Sequence, residues 1–156
     1  MNAPIKLGLI SDTHGLLRPE AIDALSGVDH IIHAGDVGGE NILSALRKIA
    51  PLSVVRGNTD YGDFGVSLPQ TEVVEIGELL FYVVHDIADL DIRPEAAGFH
   101  AVVYGHSHMP LAEKRNGVWF FNPGSAGPRR FKLPITLFLV TAFENDLWYE
   151  EVHLLK

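Results

Sequence analysis

Five apolar runs in this chain, Ile5–Ile10, Ile31–Ala34, Leu52–Val55, Leu79–Val84 and Ala101–Tyr104, each lead directly into residues able to bind a metal ion. Those residues are Asp12-Thr-His14, Gly35-Asp36, Gly57-Asn58, His85 and Gly105-His106-Ser-His108. Short runs rich in Val, Ile and Leu read as strands. Strands that all end in polar residues carry them to one edge of a sheet, where α/β folds build their sites.

The first half alternates these strands with helical patterns over Pro19–Leu25 and Asn41–Ala50. Pro19 suits a first helical turn, Gly27 a stop, and Ile42, Leu46 and Ile49 recur at helical spacing before Pro51. Strand, helix and strand in succession imply a parallel sheet with helical crossovers. From Thr71 the pattern changes to paired strands. Thr71–Ile76 joins Leu79–Val84 through Gly77-Glu78, and Leu111–Arg115 joins Val118–Phe121 through Asn116-Gly117, a strong hairpin signal. A last pair, Ile135–Phe143 and Leu147–Leu154, closes the chain. A brief helix is expected over Arg93–Ala97, and Asp60–Pro69, with Gly62 and Gly65, reads as a loop.

The length of 156 residues and a hydrophobic fraction of 47% suit a single domain, residues 1–156, around one core. No signal pattern or membrane-length apolar stretch is visible, so a cytoplasmic protein is expected. Cysteine is absent, which excludes thiolate chemistry and leaves nitrogen and oxygen as metal donors. A net charge of −8 excludes a broad nucleic-acid surface, although bound cations would still admit a small anionic substrate.

Asp12 and His14, like His106 and His108, are two residues apart, so in extended backbone each pair faces one side. Either pair alone reads equally as a capped turn or as surface histidines. Asp36 and Asn58 can each simply open a turn, and His85 alone reads as a half-buried histidine. Their agreement at five strand ends changes the weighting. Seven candidate ligands exceed what one first-row ion accepts, whereas two ions sharing a carboxylate would use them all. The mixed imidazole and carboxylate set suits Mn²⁺ first, then Fe, Zn²⁺, Co²⁺ or Ni²⁺, over Mg²⁺ or Ca²⁺. Two ions against two carboxylates leave an excess of about two positive charges, which suits a phosphate.

Read in order, the same pieces resemble the calcineurin-like metallophosphoesterases. The chain length and the segment Asn122-Pro-Gly-Ser125 are similar to the small bacterial and archaeal phosphodiesterase branch, the YfcE type. The resemblance implies an α/β fold, a four-layer α/β/β/α sandwich of two mixed sheets flanked by helices. It implies that Asp12, His14, Asp36 and His108 hold one ion and that Asp36, Asn58, His85 and His106 hold the other, with Asp36 bridging. Asp36, Asn58 and His85 would stand at the reacting centre, and Asn58 would also touch the substrate. The implied reaction is in-line attack on phosphorus by a metal-bridging hydroxide on a small phosphoester, most readily a diester. A phosphomonoesterase, or a protein-binding scaffold like the related retromer subunit, is the alternative. Homo-oligomerisation is left open.

Two positions depart from that pattern. Thr59 stands where larger relatives carry a histidine that assists the leaving group, and threonine is no general acid near neutral pH. Asp86 follows His85 where glycine is usual, and it could steady His85, supply an acid or narrow the pocket. Asp60 is expected to support its loop or a neighbouring histidine rather than to bind metal. Arg129, Arg130 and Lys132 form a compact basic cluster, from which Arg129 is carried as a candidate substrate contact against the simpler reading of a solvated loop. Gly124 and Ser125 are placed beside the site, and Trp119 and Trp148 in the core or an interface.

Overall fold

The computed structural model describes residues 3–155, so the ends of the expected domain at Met1, Asn2 and Lys156 lie outside the described residues. Among the described residues, ten strands form two five-stranded sheets. The first runs β10(Asp146–His153), β9(Thr136–Phe143), β1(Ile5–Ile10), β2(His30–His33), β3(Leu52–Val54). The second runs β4(Thr71–Ile76), β5(Leu79–Val84), β6(Ala101–Val103), β8(Val118–Asn122), β7(Leu111–Arg115). Both are mixed. β1, β2 and β3 are parallel, as are β5, β6 and β8, while hairpin partners pair antiparallel at the margins.

The sheets face each other across the main core, where Leu7, Leu9, Ile32 and Phe138 meet Phe81, Val83, Val103 and Phe121. All eight are fully buried. Burying each such side chain contributes about 1.5–3 kcal/mol. On the outer face of the first sheet, α1(Pro19–Ala24) and α2(Glu40–Arg47) bury Ala21, Ile42, Leu43 and Leu46. Pro19 opens α1 as expected, and Glu40 pairs with Arg47 at 2.9 Å along the solvent side of α2.

The sandwich expected from sequence is present, with two local corrections. Arg93–Ala97 forms no helix: a single turn closes there through Ala97 N–H to the Arg93 carbonyl, 3.0 Å, before Gly98 at positive φ. Cover on the second sheet comes from a 3₁₀ turn, Ile87–Asp89, and from Leu90, Ile92 and Phe99 packing on Tyr82, Val102 and Phe120. Inside the expected loop, Gly62–Val66 is helical (α3). Phe64 and Leu68 pack on the helix-side core there, and a Cβ on Gly65 would strike the Asp60 carbonyl, so tertiary contact overrides the two glycines. Trp119 packs on the core, but Trp148 on β10 is 53% exposed.

Candidate metal centre

Parallel order puts the C-terminal ends of β1, β2 and β3 on one edge of the first sheet, and those of β5 and β6 on one edge of the second. The segments that follow are tied together by backbone bonds. Asp12 N–H donates to Gly35 O at 3.0 Å, His14 N–H to Asp36 O at 2.9 Å, and Gly105 N–H to His85 O at 2.9 Å. Between the sheets, the His106 N–H donates to Asp12 Oδ2 at 3.1 Å and His85 Nδ1 donates to Ala34 O at 2.7 Å. The two edges are thereby closed on each other.

That closure requires unusual backbone. Asp12, His14, Asp36, His106 and His108 all have φ between 46° and 73°, a left-handed region that L residues avoid. It also requires two glycines that allow close approach. A Cβ on Gly57 would collide with the Asp36 carboxylate and backbone nitrogen, and one on Gly105 would stand 2.6 Å from Asp12 Oδ2.

All seven residues expected at the site come together, in two groups. In the first, Asp12 Oδ1 lies 3.7 Å from His14 Nε2 and 3.4 Å from His108 Nε2, and the two imidazole nitrogens are 3.3 Å apart. In the second, His85 Nε2 lies 3.2 Å from Asp36 Oδ2 and 3.0 Å from Asn58 Oδ1, which is itself 3.1 Å from His106 Nδ1. Asp12, His14 and His108 each offer an atom within 4.8 Å of one another, as do Asp36, His85 and His106. Asp36 stands between the groups, since its Oδ2 is also 3.6 Å from His14 Nε2.

Charge follows the same geometry. Burial alone would raise the Asp12 pKa, but contacts to His108 and His14 outweigh it and hold the carboxyl far below its ordinary range. Burial likewise opposes ionisation of Asp36, but its contacts with His85 and with the Thr59 N–H outweigh burial and bring its pKa down. The His14 pKa is raised, chiefly by Asp12. For His85 burial pulls down, and Asp36 with Asp12 pulls harder, so the net shift is upward. One buried atom tests whether a metal fits: Asp12 Oδ1 has no hydrogen-bond partner, while Ser11 Oγ (2.7 Å) and the His106 N–H saturate Oδ2. A buried carboxylate oxygen without a donor, ringed by imidazole nitrogens, fits a cation.

A calcineurin-like phosphoesterase superfamily domain matches residues 5–145. The chain belongs to that family. A probable metallophosphoesterase of Methanocaldococcus jannaschii is 32% identical over 154 residues, covering 90% of this chain and 77% of the relative. Phosphodiesterase YfcE of Escherichia coli K12 is 30% identical over 145 residues, covering 78% and 79%. Among solved structures, Vacuolar Protein Sorting 29 of Cryptosporidium parvum shares the fold with a TM-score of 0.76 at 18% identity, covering 97% of this chain and all of that one (100%).

Around the two groups the chain holds supporting residues that no sequence motif marked. His33 is fully buried: its Nδ1 accepts from Gly35 N–H at 3.0 Å and its Nε2 donates to Thr13 Oγ1 at 3.0 Å, which donates on to Val37 O at 2.8 Å. Burial lowers its pKa to about 4, so it is a neutral brace between the Asp12 and Asp36 loops. The signal was a lone histidine inside the apolar run Ile31–Ala34. Asn122 Nδ2 donates to Gly105 O and Ser107 Oγ, bracing the loop that carries His106 and His108. Asp60 supports its loop as expected, accepting from the N–H groups of Val37, Gly38 and Gly57. Ser125 does stand beside the site, donating to Asp12 O at 3.0 Å.

Two cavities flank the two ligand groups. One of about 580 Å³ borders Asn58, His85 and His106 and reaches Arg56, Tyr82 and Asp86. The other, about 570 Å³, borders His14 and Thr59 and reaches Tyr61 and Phe64. Only Asp60 lines both. Arg129 lines neither: it is exposed, and its guanidinium donates to Leu133 O at 3.1 Å.

Proposed function

We propose that this phosphoesterase is a phosphodiesterase working with two divalent ions, one held by Asp12, His14, Asp36 and His108 and the other by Asp36, Asn58, His85 and His106. The unpartnered Asp12 Oδ1, facing the imidazole nitrogens of His14, His85 and His108 at 3.7, 4.0 and 3.4 Å, is the observation that carries the reading. Two ions held there would supply Lewis acidity toward a phosphate and make a water more nucleophilic near neutral pH. Mn²⁺ is the ion to try first, for the reason of donor chemistry given above.

The chain's own residues divide the remaining work. Asp36, shared between the groups, and Asn58, a neutral oxygen donor, keep the centre more positive than three carboxylates would, which suits a phosphate anion. Thr59 has no proton to give near neutral pH, so esters with good leaving groups react best. The two cavities favour a diester, whose phosphorus carries two organic groups, over a monoester, which carries one. The net charge of −8 favours a small phosphoester over a long polyanion. A protein-binding scaffold of the same fold needs none of the seven ligand positions filled, so their retention favours turnover.

The test is hydrolysis of bis(p-nitrophenyl) phosphate against p-nitrophenyl phosphate by Mn²⁺-loaded protein. Diester cleavage that is lost in Asp36→Ala and His106→Ala supports the proposal. No cleavage by loaded protein, or cleavage indifferent to both substitutions, sinks it. Anomalous scattering adds a second reading: two peaks roughly 3.5–4 Å apart are expected, and a single peak removes the two-ion centre.

A further inference from the structure

We infer that Asp86 is a positioning residue that fixes the His106 ring for the ion held with Asp36 and His85, an inference that rests on the proposed two-ion centre. Asp86 follows β5 directly, and its own carboxylate is pinned: Oδ1 accepts from the Ala88 N–H at 3.0 Å, capping the 3₁₀ turn. That leaves Oδ2 turned toward His106 Nε2, 3.6 Å away. The other ring nitrogen of His106, Nδ1, faces Asn58 Oδ1 at 3.1 Å. The two nitrogens therefore look in opposite directions, one into the ligand group and one at a carboxylate.

Among the four candidate histidine ligands, His106 is the one that most needs such a device. Its side chain is 44% exposed, against 6% for His85 and 4% for His108. Packing therefore holds it least. His85 is steadied by its Nδ1–H bond to the Ala34 carbonyl, whereas His106 meets His85 only edge-on, with ring centroids 5.2 Å apart. A carboxylate facing Nε2 keeps the proton on that nitrogen and leaves the Nδ1 lone pair for the ion, the tautomer that coordination requires. A small rotation of either side chain brings Oδ2 within direct hydrogen-bond reach of Nε2. Asp86 is thus assigned to His106, across the edge between β5 and β6, and not to its chain neighbour His85.

The experiment titrates chelator-stripped full-length protein with Mn²⁺, counting free and bound ion by electron paramagnetic resonance and by calorimetry. Wild type is expected to bind two ions. Removing a carboxylate partner from a ligating histidine typically weakens metal affinity about 10–100-fold. Asp86→Ala is therefore expected to weaken one ion by that factor and leave the other unchanged. Asp86→Ser keeps a side-chain oxygen to cap Ala88 but cannot reach His106, so it should match Asp86→Ala. Asp86→Asn keeps one acceptor, which can cap Ala88, but turns an NH₂ donor toward His106 Nε2, so it should weaken the same ion as Asp86→Ala does. Wild-type affinity for both ions in Asp86→Ser overturns the inference and leaves only a turn cap. Equal weakening of both ions overturns it as well. Failure of wild type to bind two ions overturns the metal centre itself, and this inference with it.

Discussion

The backbone N–H of Thr59 donates to Asp36 Oδ1 at 2.8 Å, which leaves Asp36 Oδ2 to face His14 and His85. The residue that lacks a useful side-chain acid thus holds the shared carboxylate through its backbone. Thr59→His should keep that backbone bond while adding a titratable donor. Hydrolysis of an alkyl phosphoester, whose leaving group needs a proton, should rise relative to the p-nitrophenyl ester by on the order of 10²-fold. Steady-state kcat/KM for the two esters measures it, and an unchanged ratio rejects the role given to position 59.

Metal removal should be visible in thermal stability without any turnover. An ion present at 100 times its dissociation constant stabilises the folded state by about 2.7 kcal/mol. For a chain of this size that corresponds to a Tm rise of roughly 5–10 °C. Scanning calorimetry with Mn²⁺ and with chelator should show this shift in wild type and a much smaller one in Asp36→Ala.

His33 predicts an acid limb for the metal-free protein. Unfolded histidine takes up its proton near pH 6.5, whereas buried His33 does so only at about 4. Between those values the unfolded chain binds more protons, so stability falls as pH falls, by up to about 3 kcal/mol, and levels off below. His14 and His85 act oppositely, because their raised values make a contribution that is complete below about 6.5 and lost as pH rises through them. Urea unfolding of wild type and His33→Gln from pH 4 to 8 separates the terms, since the difference between the two curves should slope only on the acid side.

Asp60→Ala should destabilise and loosen the centre together. It strips the Val37, Gly38 and Gly57 N–H groups of their acceptor, and each such buried donor costs about 1–3 kcal/mol unless water reaches it. Denaturant titration should show a loss of at least about 2 kcal/mol. An effect under half that would mean the loops hold their shape without Asp60.

Gly57→Ala should weaken metal binding more than its small volume implies. Its new methyl collides with both the carboxylate and the backbone nitrogen of Asp36, and such overpacking costs typically about 1–3 kcal/mol. Gly98→Asn makes a control, since a Cβ there meets open space and asparagine tolerates its positive φ. Calorimetric Mn²⁺ titration of both variants should show a loss only for Gly57→Ala.

The strand ends and their seven ligands were legible because each sits at a break from apolar to polar residues, a signal local to the chain. What was hidden depends on contacts between distant segments. α3 owes its helix to Phe64 and Leu68 packing on the helix-side core, which outweighs Gly62 and Gly65. His33 stands out in sequence as a lone histidine in an apolar strand, but its partners Thr13 and Gly35 are set only by the fold. The partner of Asp86 lies twenty residues on, at His106, where adjacency had pointed to His85. Arg129 was read from a local cluster of basic residues after Asn122-Pro-Gly-Ser125, and its guanidinium is taken up by the nearby Leu133 carbonyl.

The left-handed backbone at Asp12, His14, Asp36, His106 and His108 sets a limit on how this scaffold can be engineered. Each such residue costs about 1 kcal/mol or more relative to glycine in the same conformation. A library screened for heat resistance alone would drift toward Gly or Asn at these five positions, gaining endurance while discarding the ions. Any campaign to harden the molecule should therefore freeze these codons and search the sheet margins and outer helices instead.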